Sequence, residues 1–98
     1  MGYTQMTIKI FRHKGLDRFF VEGSKRGIQP EHTGKLADIL DRLDAAQIVN
    51  DMAYSGAFLH PLKGELEGFW SVRVSGNWRV TFRFKDGDAY EVSYEDYH

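Results

Sequence analysis

The residues of this 98-residue chain best suited to moving protons are its histidines and the acid, phenol and imidazole at positions 96–98. Histidines stand at positions 13, 32, 60 and 98, and the last follows Asp96 and Tyr97 directly. Imidazole has an ordinary pKa near neutrality, so it can both accept and donate a proton. No two histidines have the close spacing of a metal motif and cysteine is absent, so we expect no metal. On residue type and position alone, His60, in a loop before Pro61, and His98, at the end of the sequence, are more often solvated than catalytic.

A second set of candidate functional residues is a group of arginines on predicted strands in the C-terminal third of the sequence. Alternating residues predict strands over 69–74, 78–84 and 89–95, joined by turns at 75–77 and 86–88. Side chains alternate between the two faces of a strand, so one face of this meander is apolar and the other polar. The apolar face carries Trp70, Val72, Val74, Trp78, Val80, Phe82, Phe84, Tyr90, Val92 and Tyr94. The polar face carries Ser71, Arg73, Arg79, Thr81, Arg83, Glu91, Ser93, Glu95 and Tyr97.

The register of the meander follows from keeping apolar residues on one face, which requires a three-residue first loop. That register sets Arg73 opposite Arg79, and like charges on neighbouring strands are mildly destabilising. A polyanion on this face would relieve the repulsion, whereas a solvated face crossed by ion pairs is the alternative. The predicted pairs are Val72 with Val80, Arg73 with Arg79, Arg79 with Glu95, Thr81 with Ser93, Phe82 with Val92, and Arg83 with Glu91.

Two helices and a first strand are predicted ahead of the meander. Residues 7–11 alternate as a strand, residues 16–20 share one helix face and end at Gly23, and Pro30 begins a second helix. The second helix has a buried stripe of Leu36, Ile39, Leu40 and Leu43. We therefore predict one domain over 1–98 of α+β class: a small antiparallel-type sheet, made of the N-terminal strand and the meander, with two N-terminal helices packed on one face.

Composition and charge narrow the function classes. The chain is 42% hydrophobic and 14% aromatic, which excludes disorder. No apolar stretch is long enough to cross a bilayer and no leader pattern is visible, so we expect a cytoplasmic protein without a membrane partner. The net charge of −1 argues against nucleic acid as a partner. However, residues 1–35 are basic and residues 36–68 acidic, so the total conceals local charge.

Several motifs together resemble the HigB toxins of the RelE/ParE superfamily of type II toxin–antitoxin modules. The resemblance covers almost the whole chain. It is carried by residues 11–16 (FRHKGL), 27–29 (GIQ), 59–72 (LHPLKGELEGFWSV), 75–80 (SGNWRV) and 96–98 (DYH).

The resemblance implies a RelE-like fold and a ribonuclease that cuts mRNA in the A site of the 30S ribosomal subunit. It also implies neutralisation by a HigA-type helix-turn-helix antitoxin, with operator DNA bound only through the toxin–antitoxin complex. By motif, the catalytic residues are expected to be His60, Arg79, Asp96, Tyr97 and His98. Lys63 matches a basic loop residue expected to bind phosphate. Arg73 and Arg83 are assigned to phosphate by their place on the polar face rather than by motif.

Two other functions compete with this expectation. The ParE branch shares the fold and inhibits gyrase by binding it, and a non-catalytic binding module could use the polar face and the acidic second helix as contact surfaces. The histidines favour catalysis, because an inhibitor has no evident need for two proton carriers. If the resemblance holds, the modest cationic patch predicts weak affinity for free RNA.

Overall fold

The computed structural model describes residues 7–97 and confirms the α+β class. Two helices, α1 (Lys14–Glu22) and α2 (Thr33–Ala45), precede an antiparallel sheet of order β1-β2-β3-β4. Short 3-10 turns cover Pro30–His32, Val49–Met52 and Gly64–Leu66. The strands are β1 (His60–Pro61), β2 (Trp70–Ser75), β3 (Trp78–Lys85) and β4 (Asp88–Asp96).

The predicted N-terminal strand is reduced to two isolated bridges, and these are parallel rather than antiparallel. Ile8 bridges to Ala89 and Phe11 to Val92, both on β4. Glu91 lies between the two bridged residues of β4 with φ of 50°, so the ladder is interrupted there. The segment therefore lies along β4 without forming a continuous strand.

Both predicted helices form, but α2 begins at Thr33, after the 3-10 turn at Pro30–His32, rather than at Pro30. The Nδ1 atom of His13 accepts the backbone N–H of Leu16 at 3.0 Å and caps α1, which ends at Gly23 with φ of 77°. In α2 the predicted stripe is fully buried. The stripe packs on the sheet face that carries Val72, Val80 and Val92, called here the covered face.

One polar contact on the covered face joins the start of α2 to the sheet. The Nδ1 atom of His32 lies 2.6 Å from the hydroxyl of Tyr94, and both residues are buried. Trp78 stacks on the Tyr94 ring at 4.6 Å between centroids. Aromatic packing and the contact between His32 and Tyr94 thus fix the start of α2 to β3 and β4.

The predicted residue pairs are confirmed in the first hairpin, but the predicted three-residue loop over 75–77 is wrong. Val72 pairs with Val80, and Arg73 with Arg79. Ser75 is the last residue of β2 and pairs with Trp78 across a two-residue turn, and a register shift between Arg73 and Ser75 keeps Arg73 opposite Arg79.

In the second hairpin the register is partly wrong. The pair that joins Arg79 to Glu95 is found. Beyond Thr81 and Ser93 the register shifts.

The shift is a β-bulge at Glu91, and it corrects two predictions. Arg83 lies opposite Tyr90 rather than Glu91, and the predicted pair of Phe82 with Val92 is not part of the described register. Because opposed residues share a face, Tyr90 lies on the face of Arg83 and not on the apolar face. Arg83 still reaches Glu91, at 3.4 Å.

Neither helix within residues 7–97 is long and apolar enough to cross a bilayer. In the same residues no three histidine, aspartate or glutamate side chains are grouped as a metal site would require.

Candidate active site

The sheet face turned away from the helices, called here the open face, gathers several of the predicted site residues. His60 on β1 pairs with Ser71 on β2, and this row continues across β3 and β4. Successive rows on one face lie about 7 Å apart. The next row holds Arg73, Arg79 and Glu95, and Tyr97 follows, with its backbone N–H bonded to Asn77 at 2.8 Å.

The centre of the open face is a floor of small hydroxyl side chains. Ser71, Thr81 and Ser93 are 0%, 1% and 4% exposed, although the sequence placed them on a polar surface. The simple alternative of a solvated face is therefore wrong at the centre. Arginines and carboxylates occupy the neighbouring rows of the same face.

Four buried polar atoms on the open face have no hydrogen-bond partner within the described part of the chain. They are Ser71 Oγ, Arg79 Nη1, Glu95 Oε2 and Tyr97 Oη. Buried polar groups are normally hydrogen-bonded, and leaving them unpaired costs folding free energy. Groups of this kind call for a partner from outside the chain, such as an ordered water, an ion or a ligand, or for a catalytic role.

His60 lies at the edge of the floor with a defined orientation. Its Nδ1 atom is 3.0 Å from the carbonyl oxygen of Phe58. A carbonyl oxygen only accepts, so Nδ1 carries a hydrogen and donates it to Phe58. The exposed imidazole therefore has Nε2 available to exchange a proton with a ligand.

Tyr97 is held as a neutral phenol. Burial raises its pKa above 10.0, and the negative charge of Glu95 raises it further. The positive charges of Arg12 and Arg79 act in the opposite direction without reversing the shift. At neutral pH the hydroxyl therefore serves as a hydrogen-bond donor rather than a base.

Arg12 and Glu95 were not given site roles by the sequence. The positive charge of Arg12 acts on Tyr97 because the N-terminal segment lies parallel to β4, where the Arg12 backbone N–H donates to the Val92 carbonyl oxygen at 2.8 Å. No local pattern indicates that pairing. Alternation places Glu95 on this face, but it does not indicate that the Oε2 atom is buried, which depends on the fold.

Three other predicted site residues lie outside this group, and the position of a fourth is not described. Asp96 is opposite Trp78, and so lies on the covered side of β4, away from His60 and Tyr97. Lys63 is exposed in the loop after β1. Arg83 lies beyond the floor, over the ring of Phe69. His98 lies outside the described residues.

Comparisons with known proteins agree with this fold. The profile of a family described as the RelE-like toxin of type II toxin–antitoxin system HigB matches residues 9–98. The chain is 44% identical over 91 residues to Endoribonuclease HigB of Proteus vulgaris, covering 93% of this chain and 99% of that relative. It is 32% identical over 81 residues to Toxin HigB-1 of Vibrio cholerae, covering 81% of this chain and 85% of the relative. The chain therefore belongs to the HigB-like family of RelE-like toxins of type II toxin–antitoxin systems.

Proposed function

We propose that this toxin is an endoribonuclease that cleaves mRNA in the ribosomal A site and thereby inhibits translation. The observation that carries the proposal is the open face, where an oriented imidazole adjoins the buried hydroxyl floor and four unpartnered buried polar atoms lie on or beside that floor. The name of the Proteus vulgaris relative supports the same activity. Because translation occurs there, the cytoplasm is the proposed site of action.

The proposed chemistry is attack of a ribose 2′-oxygen on the adjacent phosphorus. The O2′–P bond forms as the P–O5′ bond breaks, leaving a 2′,3′-cyclic phosphate and a 5′-hydroxyl. A base takes the 2′-hydroxyl proton, and an acid gives a proton to the 5′-oxygen. His60, through Nε2, and His98 share these two roles, in either order.

Cations stabilise the phosphate as its charge develops. Arg79 is the central one, because it stands in the row beside the floor and has an unpartnered Nη1 atom. Arg73 is its neighbour, and Lys63 and Arg83 bind flanking phosphates from the loop and from the next row. Asp96, from the other side of β4, would act by orienting the histidine two residues later or by contacting a ribose hydroxyl.

Membership of a type II family implies an antitoxin partner. We propose a HigA-type helix-turn-helix antitoxin, with operator DNA reached only through the complex. Dependence on the ribosome fits the charge: Glu91 and Glu95 temper the arginines of the open face, so affinity for naked RNA is expected to be weak and strongly reduced by salt.

Primer extension on a defined mRNA, with and without programmed ribosomes, tests the proposal. Cuts that need ribosomes are expected. Intact mRNA together with inhibition of gyrase supercoiling would instead favour ParE-like action, and neither effect would favour a binding module.

The role of His98 is tested by His98→Ala in the same assay. We expect cleavage to fall about 10²–10⁴-fold if this imidazole transfers a proton in the transition state. Cleavage at the wild-type rate would remove His98 from the mechanism and leave the second proton-transfer role to another group.

A further inference from the structure

Phe58 stands out among the surface residues because a large aromatic ring is both exposed and held in a strained backbone conformation. Its side chain is 62% exposed and its φ is 50°, a conformation that favours glycine. Such outliers persist only where the surroundings fix them, and they cluster at functional sites. The other large exposed apolar side chains of the described chain, Ile10, Val21 and Ile48, are aliphatic.

Three contacts tie Phe58 to the open face. Its carbonyl oxygen accepts the Nδ1 hydrogen of His60 at 3.0 Å. The carbonyl of its buried neighbour Ala57 accepts the Arg73 N–H at 2.8 Å, which fastens this segment to β2. The Arg73 guanidinium lies over the Phe58 ring, 5.6 Å from its centroid. The ring is therefore presented to solvent beside the imidazole and the cation of the candidate site.

We propose that Phe58 is a nucleobase-stacking residue of the RNA site. The arginine covers one face of the ring, and a base flanking the scissile phosphate stacks on the other. The proposal rests on the proposed ribonuclease function and names the part of the site that binds the base rather than the phosphate.

An exposed aromatic ring beside a cation is a combination that suits single-stranded RNA. Proteins bind unpaired nucleotides by stacking bases on aromatic side chains while nearby cations contact the backbone. Phe58 and Arg73 supply this combination within one contact. Loss of one such stack typically weakens binding about 5- to 150-fold.

Four substitutions at position 58 separate the ring from the backbone. Phe58→Trp keeps a stacking surface, and Phe58→Leu keeps apolar bulk without one. Phe58→Ala removes the side chain, and Phe58→Gly also relieves the positive φ. Val21→Ala, at an exposed site on α1, is the matched control. Thermal unfolding of each variant establishes that it is folded.

The first readout is cleavage of mRNA on programmed ribosomes at varied complex concentration. We expect KM to rise about 5- to 150-fold for the Ala, Leu and Gly variants, and kcat to change much less. The Trp variant and the Val21→Ala control should match the wild type. The Gly variant should unfold no earlier than the wild type while binding as poorly as the Ala variant.

The second readout is fluorescence of 2-aminopurine placed next to the mapped cut, in an mRNA whose cut nucleotide is 2′-O-methylated and cannot react. Stacking quenches this base, so quenching is expected with the wild type and the Trp variant and not with Leu, Ala or Gly.

Wild-type KM and quenching in the Leu variant would overturn the stacking role while leaving the ribonuclease intact. So would variants that keep the affinity for mRNA and lose only antitoxin binding, because Phe58 would then belong to a protein interface. A wild-type protein that cleaves no mRNA would overturn the proposed function itself, and the stacking role with it.

Discussion

The two faces of the sheet differ in whether their buried polar groups have hydrogen-bond partners. On the covered face, the buried imidazole of His32 is 2.6 Å from the Tyr94 hydroxyl, so its polar nitrogen has a partner. On the open face, Arg79, Glu95 and Tyr97 each bury a polar atom without one. A partnered group contributes to folding, whereas an unpartnered one opposes it. The open face therefore carries buried polar groups that the described chain leaves unsatisfied, as the proposed RNA site requires.

The largest expected effect contrasts a histidine from each face. His60→Ala is expected to lower mRNA cleavage on ribosomes about 10²–10⁴-fold, because it removes a proton-transferring group. As His60 is exposed, its loss should change the free energy of unfolding by no more than about 0.5 kcal/mol.

His32→Ala is the matched counterpart. It leaves a cavity beside Trp78 and removes one of the two hydrogen-bond partners of the Tyr94 hydroxyl, the other being the Gln29 backbone, so we expect a loss of roughly 2–4 kcal/mol in unfolding free energy. Enzyme that remains folded should cleave normally. A His60→Ala protein that unfolds readily, or a folded His32→Ala protein that is inactive, would contradict the division between the faces.

Arg79 provides the next largest effect. Arg79→Ala is expected to reduce kcat about 10²–10³-fold, as for the loss of one donor to developing negative charge. Arg79→Lys should recover part of the activity, since the charge remains and the planar pair of donors is lost.

The control for this change is Arg42→Ala on α2, which removes an exposed arginine already paired with Asp38 at 3.1 Å. It should cost less than about 1 kcal/mol of stability and no activity. Equal losses of cleavage in both variants would show that general charge, and not position on the open face, determines the rate.

Much of this architecture was predictable from the sequence because its signals are local. The α2 stripe follows helical periodicity, Gly23 ends α1 with the positive φ expected of it, and strand alternation fixed the pairing of Arg73 with Arg79. The grouping of His60 with the arginines was expected only from family resemblance, since β1 is two residues long.

The features that the sequence did not predict depend on contacts between residues distant in sequence or on a single backbone angle. The bulge at Glu91 moves Tyr90 to the other face, and no pattern in residues 86–96 signals it. The burial of Ser71 depends on the side chains around it, which alternation does not describe. The charge of Arg12 acts on Tyr97 because a parallel bridge joins the N-terminal segment to β4, which lies far along the chain.

Tyr94 on β4 and Tyr97, the residue after its end, permit the same substitution on opposite faces of the sheet. Tyr94→Phe removes the partner of a buried imidazole and should cost about 1–2 kcal/mol, with cleavage unchanged. Tyr97→Phe removes an unpartnered hydroxyl, so stability should hold or rise slightly while cleavage falls about 3- to 10-fold through a lost hydrogen bond to RNA. Urea unfolding and the ribosome assay measure both. The contrast fails if either substitution affects stability and cleavage alike.

The smallest effect concerns Tyr54, which packs beneath Arg42 of α2 yet also buries an unpartnered hydroxyl. Burial, followed by the charge of Asp38, raises its pKa from 10.0 to about 12, while Arg42 acts to lower it. Well below pH 10 the phenol is neutral in both the folded and the unfolded chain, so its ionisation does not affect stability. As pH rises towards 12 the unfolded chain ionises first, so folding loses stability.

The loss should reach roughly 1 kcal/mol between pH 10.5 and 11, and Tyr54→Phe should abolish it. The measurement is the difference in urea unfolding free energy between the two proteins at pH 7 and at pH 10.5–11, because lysines and other tyrosines titrate equally in both. A difference independent of pH would mean that the Tyr54 hydroxyl reaches water in the folded protein. A shift of the expected sign would show that the Tyr54 hydroxyl stays buried. Among the described residues on the helix side, Tyr54 is then the one whose unpartnered polar atom opposes folding, as those of the open face do. Unlike them, it has no proposed ligand to compensate.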